Sequence, residues 1–240
     1  MANLYNPFAL EFARLAVKAA VPVLEVYEGN HGARIKKDGS PVTEADLAAD
    51  RLIYAGLQEI WPDIAVISEE QFTSQRADHA RFFLVDPLDG TREFINRTGE
   101  FTINIALIEN GHAVAGAVYA PILKSLFFAG EHAFHVSKIS AGAEIKEHNA
   151  SKISSRRADI THLTALASLS HGDQTTELFL NDIQPEQILK SGSSLKFCTL
   201  AKGDADIYPR FGRTMGWDIA AGHAILRAAG GTLINEDGNE

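Results

Sequence analysis

The stretch Arg81-Phe82-Phe83-Leu84-Val85-Asp86-Pro87-Leu88-Asp89-Gly90-Thr91 constrains this chain more than any other. Its first five residues are largely apolar and partly aromatic, the pattern of a short buried strand, Arg81 to Val85, stopped by the proline two residues on. Two aspartates stand at the strand's end, and Pro87 between them sets one φ angle and withdraws an N–H donor. Gly90 lets the backbone approach a ligand closely, and Thr91 adds a hydroxyl. Two carboxylates on a stiff turn, followed by open N–H groups, suit a hard cation and a phosphate held by it. A polar turn that merely closes a strand accounts for the same residues equally well. The acids elsewhere in the chain decide between the two.

With 240 residues the chain holds one large domain or two small lobes, either with a substantial core. A formal charge of −9 argues against a general nucleic-acid or membrane-surface binder, which needs a basic excess. An acidic protein still takes an anionic substrate where bound cations and a few placed Lys or Arg residues reverse the local field. The lone Cys198 excludes an internal disulfide and fits a reducing compartment, and it reads as a small buried apolar residue. No signal peptide is expected at the N-terminus. Leu10 to Val26 is interrupted by Glu11, Arg14, Lys18 and Glu25, so no integral membrane segment is expected and the protein is placed in the cytoplasm.

Asn6-Pro7 opens a helix along which Phe8, Phe12, Leu15, Ala16, Ala19 and Val23 recur at helical spacing, with a kink expected at Pro22. Ile35 to Pro41 reads as a polar loop or short hairpin. A second helix starts near Thr43 and ends at Trp61-Pro62-Asp63. Thr43 is its expected N-cap, and Asp46 in the first turn is explained by the helix dipole alone. Ala65 to Ser68 is a brief strand running into Glu69-Glu70. Phe101 to Glu109 and His112 to Ala120 form a hairpin over Asn110-Gly111, and Ser125 to Ala129 and His132 to Val136 continue the meander. Ser137 to Asp159 is a polar, weakly patterned bridge. Beyond it the style changes: a strand over Leu163 to Leu169, a helix over Gln174 to Leu180, and a strand over Gln187 to Leu189. Gly192-Ser193-Ser194 precedes a helix from Leu195 to about Lys202, Ala205 to Tyr208 is a strand, and Trp217 to Ala229 is a helix ended by Gly230-Gly231. A strand over Gly231 to Ile234 follows. Strands alternating with helices favour an α/β layer for this part.

Asp218 opens the last helix, where it can serve as a simple cap. The acids now collected are Glu69 at one strand end, Asp86 and Asp89 at another, and Asp218 at a helix start. Carboxylates at element ends from distant parts of a chain are how Mg²⁺ phosphatase sites are assembled. The histidines show no metal-ligand pattern: no third soft ligand lies near His132 and His135, and Ser170-His171 lacks a nucleophile elbow.

Glu69-Glu70, Asp86-Pro87-Leu88-Asp89-Gly90-Thr91 and Trp217-Asp218-Ile219-Ala220-Ala221 resemble, in order, the three signatures of the inositol monophosphatase superfamily. Lys37 to Asp46 resembles the segment that supplies an acid near the attacking water there. Asp89 to Ile95, Gly99 to Ile108, Gly192 to Cys198 and Ala205 to Gly212 are most similar to the bacterial 3′(2′),5′-bisphosphate nucleotidases, the CysQ type. Two departures stand out. Ser168-Leu169-Ser170-His171 has Leu169 where that type commonly carries an arginine. Relatives also continue past the position of Glu240 through a Pro-Leu loop and closing strands, so a second lobe lacking its last strands is expected.

The resemblance implies an α+β or α/β fold, a layered αβαβα sandwich of the sugar-phosphatase type. It divides into a lobe of residues 1–140, a helix pair on an antiparallel-rich sheet with most metal ligands, and an α/β lobe of 141–240, the site lying between them. It implies Mg²⁺-dependent, lithium-sensitive phosphatase chemistry in sulfur metabolism. Two or three Mg²⁺ ions would be held by Glu69, Asp86, the Leu88 carbonyl, Asp89 and Asp218. Asp46 and Thr91, with Glu70 assisting, would orient the attacking water. Besides the ligands Glu69, Leu88, Asp89 and Asp218, the substrate would touch the Gly90 and Thr91 N–H groups, Ser193 and Ser194, with Lys196 and Arg210 on the second phosphate or the nucleotide. The implied reaction takes adenosine 3′,5′-bisphosphate to AMP and phosphate. An inositol or sugar phosphate monophosphatase with the same metals stays open, as does a non-catalytic nucleotide-binding protein. The expected partner is a small-molecule nucleotide and not a nucleic acid, the expected state a monomer or homodimer. Peripheral association with the inner face of the cell membrane, shown by some relatives, is also left open.

Overall fold

A computed structural model describes residues 5–29, 34–35, 41–71, 80–146, 149–170 and 172–239. Helix α1 (Pro7–Glu28) starts where Asn6 accepts the N–H groups of Phe8 and Ala9 at 3.0 and 3.3 Å, with Pro7 at the first position. It runs through Pro22, where the kink was expected, without ending. The carbonyl that loses its partner belongs to exposed Lys18, where water can replace the missing N–H. The expected short hairpin is the two-residue strand β1 (Arg34–Ile35) paired antiparallel with β2 (Pro41–Val42); residues 36–40 lie outside the described residues. Helix α2 (Glu44–Ile60) follows, capped by Thr43 as expected.

Seven strands make one sheet, in order β3 (Ala65–Ser68), β4 (Arg81–Asp89), β5 (Thr102–Glu109), β6 (His112–Ala120), β7 (Ser125–Ala129), β8 (Ala133–Ser137) and β9 (Ser151–Ile153). Only β3–β4 is parallel; every other pair is antiparallel. The hairpin between β5 and β6 turns on Asn110 and Gly111, both at positive φ (50° and 85°), as a two-residue loop requires. Strand β4 does not stop at Val85. It continues to Asp89 through an irregularity between Asp86 and Asp89, because β3 accompanies it only as far as Val85, and beyond that point Pro87 owes no N–H to a neighbour on that side. Within the bridge expected at 137–159, β9 pairs with β8, a short ladder too polar to read as a strand.

Residues alternate across the sheet. Ile103, Ile105 and Leu107 face the core under α1 and α2, while Ala106 and Ile108 face the other side. On the first face Phe8, Phe12, Trp61 and Phe83 interlock, Phe8 stacking on Trp61 at 4.6 Å and Phe12 meeting Phe83 edge-on at 5.5 Å. The second face is covered by α5 (Leu195–Ala201) and α6 (Gly216–Ala228), with Cys198 buried among them as expected. Outside these helices lies a parallel pair, β10 (Thr164–Ser168) with β11 (Gln187–Ser191), and α4 (Gln174–Ile183), whose Thr176 and Leu180 are buried. The layers are therefore α1 and α2, the large sheet, α5 and α6, the small sheet, and α4, the expected αβαβα sandwich.

The strand expected at Ala205 to Tyr208 reduces to one bridge, Ile207 beside Ala165, held by the Leu166 N–H to Ile207 carbonyl bond of 2.8 Å. Gly231 to Ile234, expected as a strand, pairs with no strand among the described residues.

Helix α6 lies hard on β6. A Cβ added at Gly116 would stand 2.7 Å from the Ala221 carbonyl oxygen and 3.1 Å from the Ala224 Cβ. Gly116→Val must therefore push the helix outward. We expect it to cost about 1–3 kcal/mol, the usual range for overpacking, read as a lower urea midpoint. An unchanged midpoint would mean that the helix is free to move.

Candidate functional site

The carboxyl ends of the parallel strands β3 and β4 and the amino ends of α2 and α6 meet at one end of the large sheet. Directly after β3 a single 3₁₀ turn (Glu69–Gln71) carries Glu69 and Glu70. Asp50, on the buried face of α2 one turn beyond Asp46, braces that turn by accepting the Ser68 hydroxyl at 2.5 Å and the Gln71 amide at 2.6 Å. Carboxylate oxygens of Glu69, Asp86 and Asp218 all lie within 4.8 Å of one another. These three come from a strand end, a strand irregularity and a helix start. Such hard oxygen donors fit Mg²⁺ or a similar cation, and they offer nothing to a soft one.

The remaining expected residues gather round this trio. Asp46 is at the third position of α2, where its Oδ2 accepts the Thr43 N–H at 2.7 Å and the Thr43 hydroxyl at 2.6 Å. Its Oδ1 receives the Thr91 hydroxyl at 3.3 Å, and that hydroxyl also lies 3.4 Å from the Leu88 carbonyl. The capping role and the placement beside Thr91 thus coexist, one oxygen for each. Asp218 repeats the device at the third position of α6, its Oδ2 accepting the Met215 N–H at 2.8 Å and the Thr214 hydroxyl at 3.0 Å. Gly90, at φ +91°, turns the chain into a short helix, α3 (Thr91–Ile95), that the sequence reading missed. Five residues are too few to show a helical period.

Charge crowding is visible in the acids themselves. Burial pushes the Asp86 carboxyl well above the usual range, and the charges of Glu69, Asp89, Asp218 and Asp46 push it further the same way. Asp89, half-buried by accessible surface but enclosed by protein, is pushed up to about 6 by burial and then by Asp218. Lys196 and the hydrogen bonds from Ser194 and Asn104 pull it back only in part. A bound cation would relieve this crowding, so the donor set fits one. For the metal-free protein both folded values lie above the unfolded value of about 4, so the folded state holds the extra protons. The stabilising contribution is full below pH ~4 and is lost as pH rises through the folded values. We expect the urea midpoint of chelator-treated protein to fall between pH 5 and pH 7.5, and to fall less steeply in Asp89→Asn. Equal slopes in the two would show that Asp89 does not titrate in this window.

On the α5 side the turn Gly192-Ser193-Ser194 closes over the site. Ser194, 1% exposed, points its hydroxyl at the Asp89 Oδ2 and at the Asp218 carbonyl, each at 2.8 Å. Ser193 sits at φ +43° with a buried hydroxyl. Lys196, 5% exposed, turns its ammonium back onto the carbonyls of Ser191 at 3.2 Å and Ser193 at 2.5 Å, and burial holds its pKa below the usual value. Arg210 is half-buried and donates to the Arg213 carbonyl at 3.1 Å; its charge and that of Lys196 act on each other.

Four contributors escaped the sequence reading: Asp50, Glu93, Asn104 and Glu100. Glu93, 3% exposed, accepts the Ser170 hydroxyl, while His171 lies outside the described residues. The Glu100 carboxylate accepts the Gly192 N–H at 2.5 Å. Asn104 interrupts the apolar run of β5, the one signal that was there to be read. His135, set aside as a zinc ligand, stacks on Phe127 and lies 2.8 Å from the Ser125 hydroxyl.

A layered αβαβα sandwich that collects carboxylates from strand ends and helix starts at one edge defines the sugar-phosphatase class of folds, with an acidic site able to hold a cation. The sequence profile of the inositol monophosphatase family matches residues 8–240, and the chain belongs to that family. It is 44% identical over 224 residues to the 3′(2′),5′-bisphosphate nucleotidase CysQ of Salmonella typhimurium, covering 92% of this chain and 87% of that one. The CysQ of Escherichia coli K12 is 41% identical over the same shares. Among solved structures, CysQ from Bacteroides thetaiotaomicron superposes with a TM-score of 0.81 at 40% identity, over 95% of this chain and 89% of that one. An IMPase of Thermotoga maritima superposes at 0.77 with 27% identity, over 95% and 85%. Among the described residues, no helix is long and apolar enough to cross a membrane.

Proposed function

We infer that this protein is a phosphoric monoester hydrolase, a 3′(2′),5′-bisphosphate nucleotidase that takes adenosine 3′,5′-bisphosphate to AMP and phosphate. The observation that carries the reading is the convergence of Glu69, Asp86 and Asp218 in a chain 44% identical to a CysQ nucleotidase over most of its length. We assign Glu69, Asp86, the Leu88 carbonyl, Asp89 and Asp218 to two or three Mg²⁺ ions. Bound there, Mg²⁺ supplies Lewis-acid stabilisation of charge on the phosphate and makes water a better nucleophile at neutral pH.

This chain's residues supply the rest. Thr91, hydrogen-bonded to Asp46, orients a water through its hydroxyl oxygen, and Asp46 receives the proton relayed through that hydroxyl. Glu70, in the same turn as Glu69, assists from the flank. Main-chain N–H groups at Gly90 and Thr91, where the chain enters α3, suit phosphate oxygens. Ser193, Ser194, Lys196 and Arg210 form the substrate side of the site. There the buried Lys196 acts on the phosphate through its field and its hold on the turn, and half-buried Arg210 is the better placed for direct contact. We take residues 1–140 and 141–240 as the two lobes, the second lending β9 to the edge of the large sheet, and the buried lone cysteine fits a cytoplasmic enzyme.

The test is phosphate release with Mg²⁺ from adenosine 3′,5′-bisphosphate and, in parallel, from inositol 1-phosphate. Strong preference for the nucleotide is expected. Preference for inositol 1-phosphate would keep the cation site and overturn the substrate; no release from either would overturn the hydrolase.

A further inference from the structure

Asp89 presents its two carboxylate oxygens to different surroundings. Oδ2 meets the Ser194 hydroxyl at 2.8 Å and the Asn104 amide at 3.4 Å, while no bond to Oδ1 is recorded among the described residues. The Asn104 amide also donates to the Ser194 hydroxyl oxygen at 2.8 Å, so the three groups form a closed triangle. The same hydroxyl lies 2.8 Å from the main-chain carbonyl of Asp218. A hydroxyl has one proton, and an ionised carboxylate attracts it more strongly than a neutral carbonyl does.

Asn104 is an expensive residue to keep in this position. It is 1% exposed in the middle of a sheet, and among the described residues its carbonyl oxygen has no partner, a burial that disfavours the folded state. An apolar residue would suit the strand better. The turn bearing Ser194 is held just as firmly: Gly192 gives its N–H to Glu100, and a Cβ at Gly192 would come within 2.7 Å of the Glu100 carbonyl oxygen. Ser193 sits at positive φ, and the Lys196 ammonium donates to its carbonyl.

We propose that Asn104 and Ser194 are positioning residues that clamp Oδ2 of Asp89, the Ser194 proton going to that oxygen, and so leave Oδ1 for the cation. This inference rests on the reading of Asp89 and Asp218 as cation ligands. Partners of this kind behind a metal ligand fix its orientation, and their loss typically costs about ten- to a hundred-fold in metal affinity.

The test uses the full chain, stripped of metal, titrated with Mn²⁺ alone by calorimetry and by electron paramagnetic resonance, with no substrate present. Ser194→Ala is expected to weaken Mn²⁺ binding about ten- to a hundred-fold. Ser194→Thr, which keeps a hydroxyl, should bind like the wild type. Asn104→Ala should weaken binding in the same direction, and the double variant by no more than the sum of the two. In kinetics the loss should appear as a higher Mg²⁺ requirement that saturating Mg²⁺ largely restores. A merely structural role would lower the unfolding midpoint and leave the affinity of the folded protein alone. Wild-type Mn²⁺ affinity in Ser194→Ala therefore overturns the clamp. Failure of the wild type itself to bind Mn²⁺ overturns the cation site and the clamp with it, a distinguishable result.

Discussion

Asp89→Asn is expected to cut phosphate release from adenosine 3′,5′-bisphosphate by about a thousand-fold. The substitution keeps the shape of the side chain and removes one charge from a group of acids already crowded enough to raise the Asp86 and Asp89 carboxyls. Lewis-acid stabilisation by a metal centre is worth several kcal/mol, and each factor of ten in rate corresponds to about 1.4 kcal/mol, which gives a loss of that size when the ions are weakened or misplaced. The fold should survive, because a neutral amide relieves repulsion, and metal-free Asp89→Asn should unfold at a higher urea concentration than the metal-free wild type at neutral pH. Activity near the wild-type level would remove Asp89 from the mechanism. A non-catalytic nucleotide-binding protein is excluded by measurable turnover in the wild type alone.

The second large effect is on stability. A ligand present at a hundred times its dissociation constant stabilises the folded state by about 2.7 kcal/mol, and for a chain of this size each kcal/mol is worth about 2–4 °C. Saturating Mg²⁺ should therefore raise the melting temperature of chelator-treated protein by about 5–10 °C. Matched ionic strength from NaCl should reproduce little of this, because it screens the acids without bridging them. Equal shifts from the two salts would mean that the acids are only screened. In Asp89→Asn the Mg²⁺ shift should shrink, which ties the thermal and kinetic results to the same carboxylate.

What was legible in the chain was local. Asn6-Pro7 and Thr43 marked helix starts that the structure reproduces, and Asn110-Gly111 marked the hairpin. The acids were recognised because each stands at an element end, where a carboxylate is not needed for a core. Errors came where a neighbour decides. Pro87 reads as the end of a strand, yet it sits inside β4 because the parallel partner stops at Val85. Ala205 to Tyr208 has the composition of a strand but only one bridging residue. Asp50 and Glu100 look like ordinary surface charges until Gln71 and Gly192 are brought against them.

By itself the sequence determined the chemistry available: hard oxygen ligands, a threonine beside an aspartate-bearing turn, and helix starts that place a carboxylate in the first turn. Spacing, capping and turn propensity act over a few residues, so they can be read without knowing where the rest of the chain goes. Only the tertiary structure decided that Glu69, Asp86 and Asp218 converge, that Asp46 divides its oxygens between Thr43 and Thr91, and that Asn104 and Ser194 close on Asp89. Those meetings depend on how helices seat on a sheet, as α6 seats on the bare backbone of Gly116. Close packing of surfaces far apart in sequence sets them, and no local pattern encodes that.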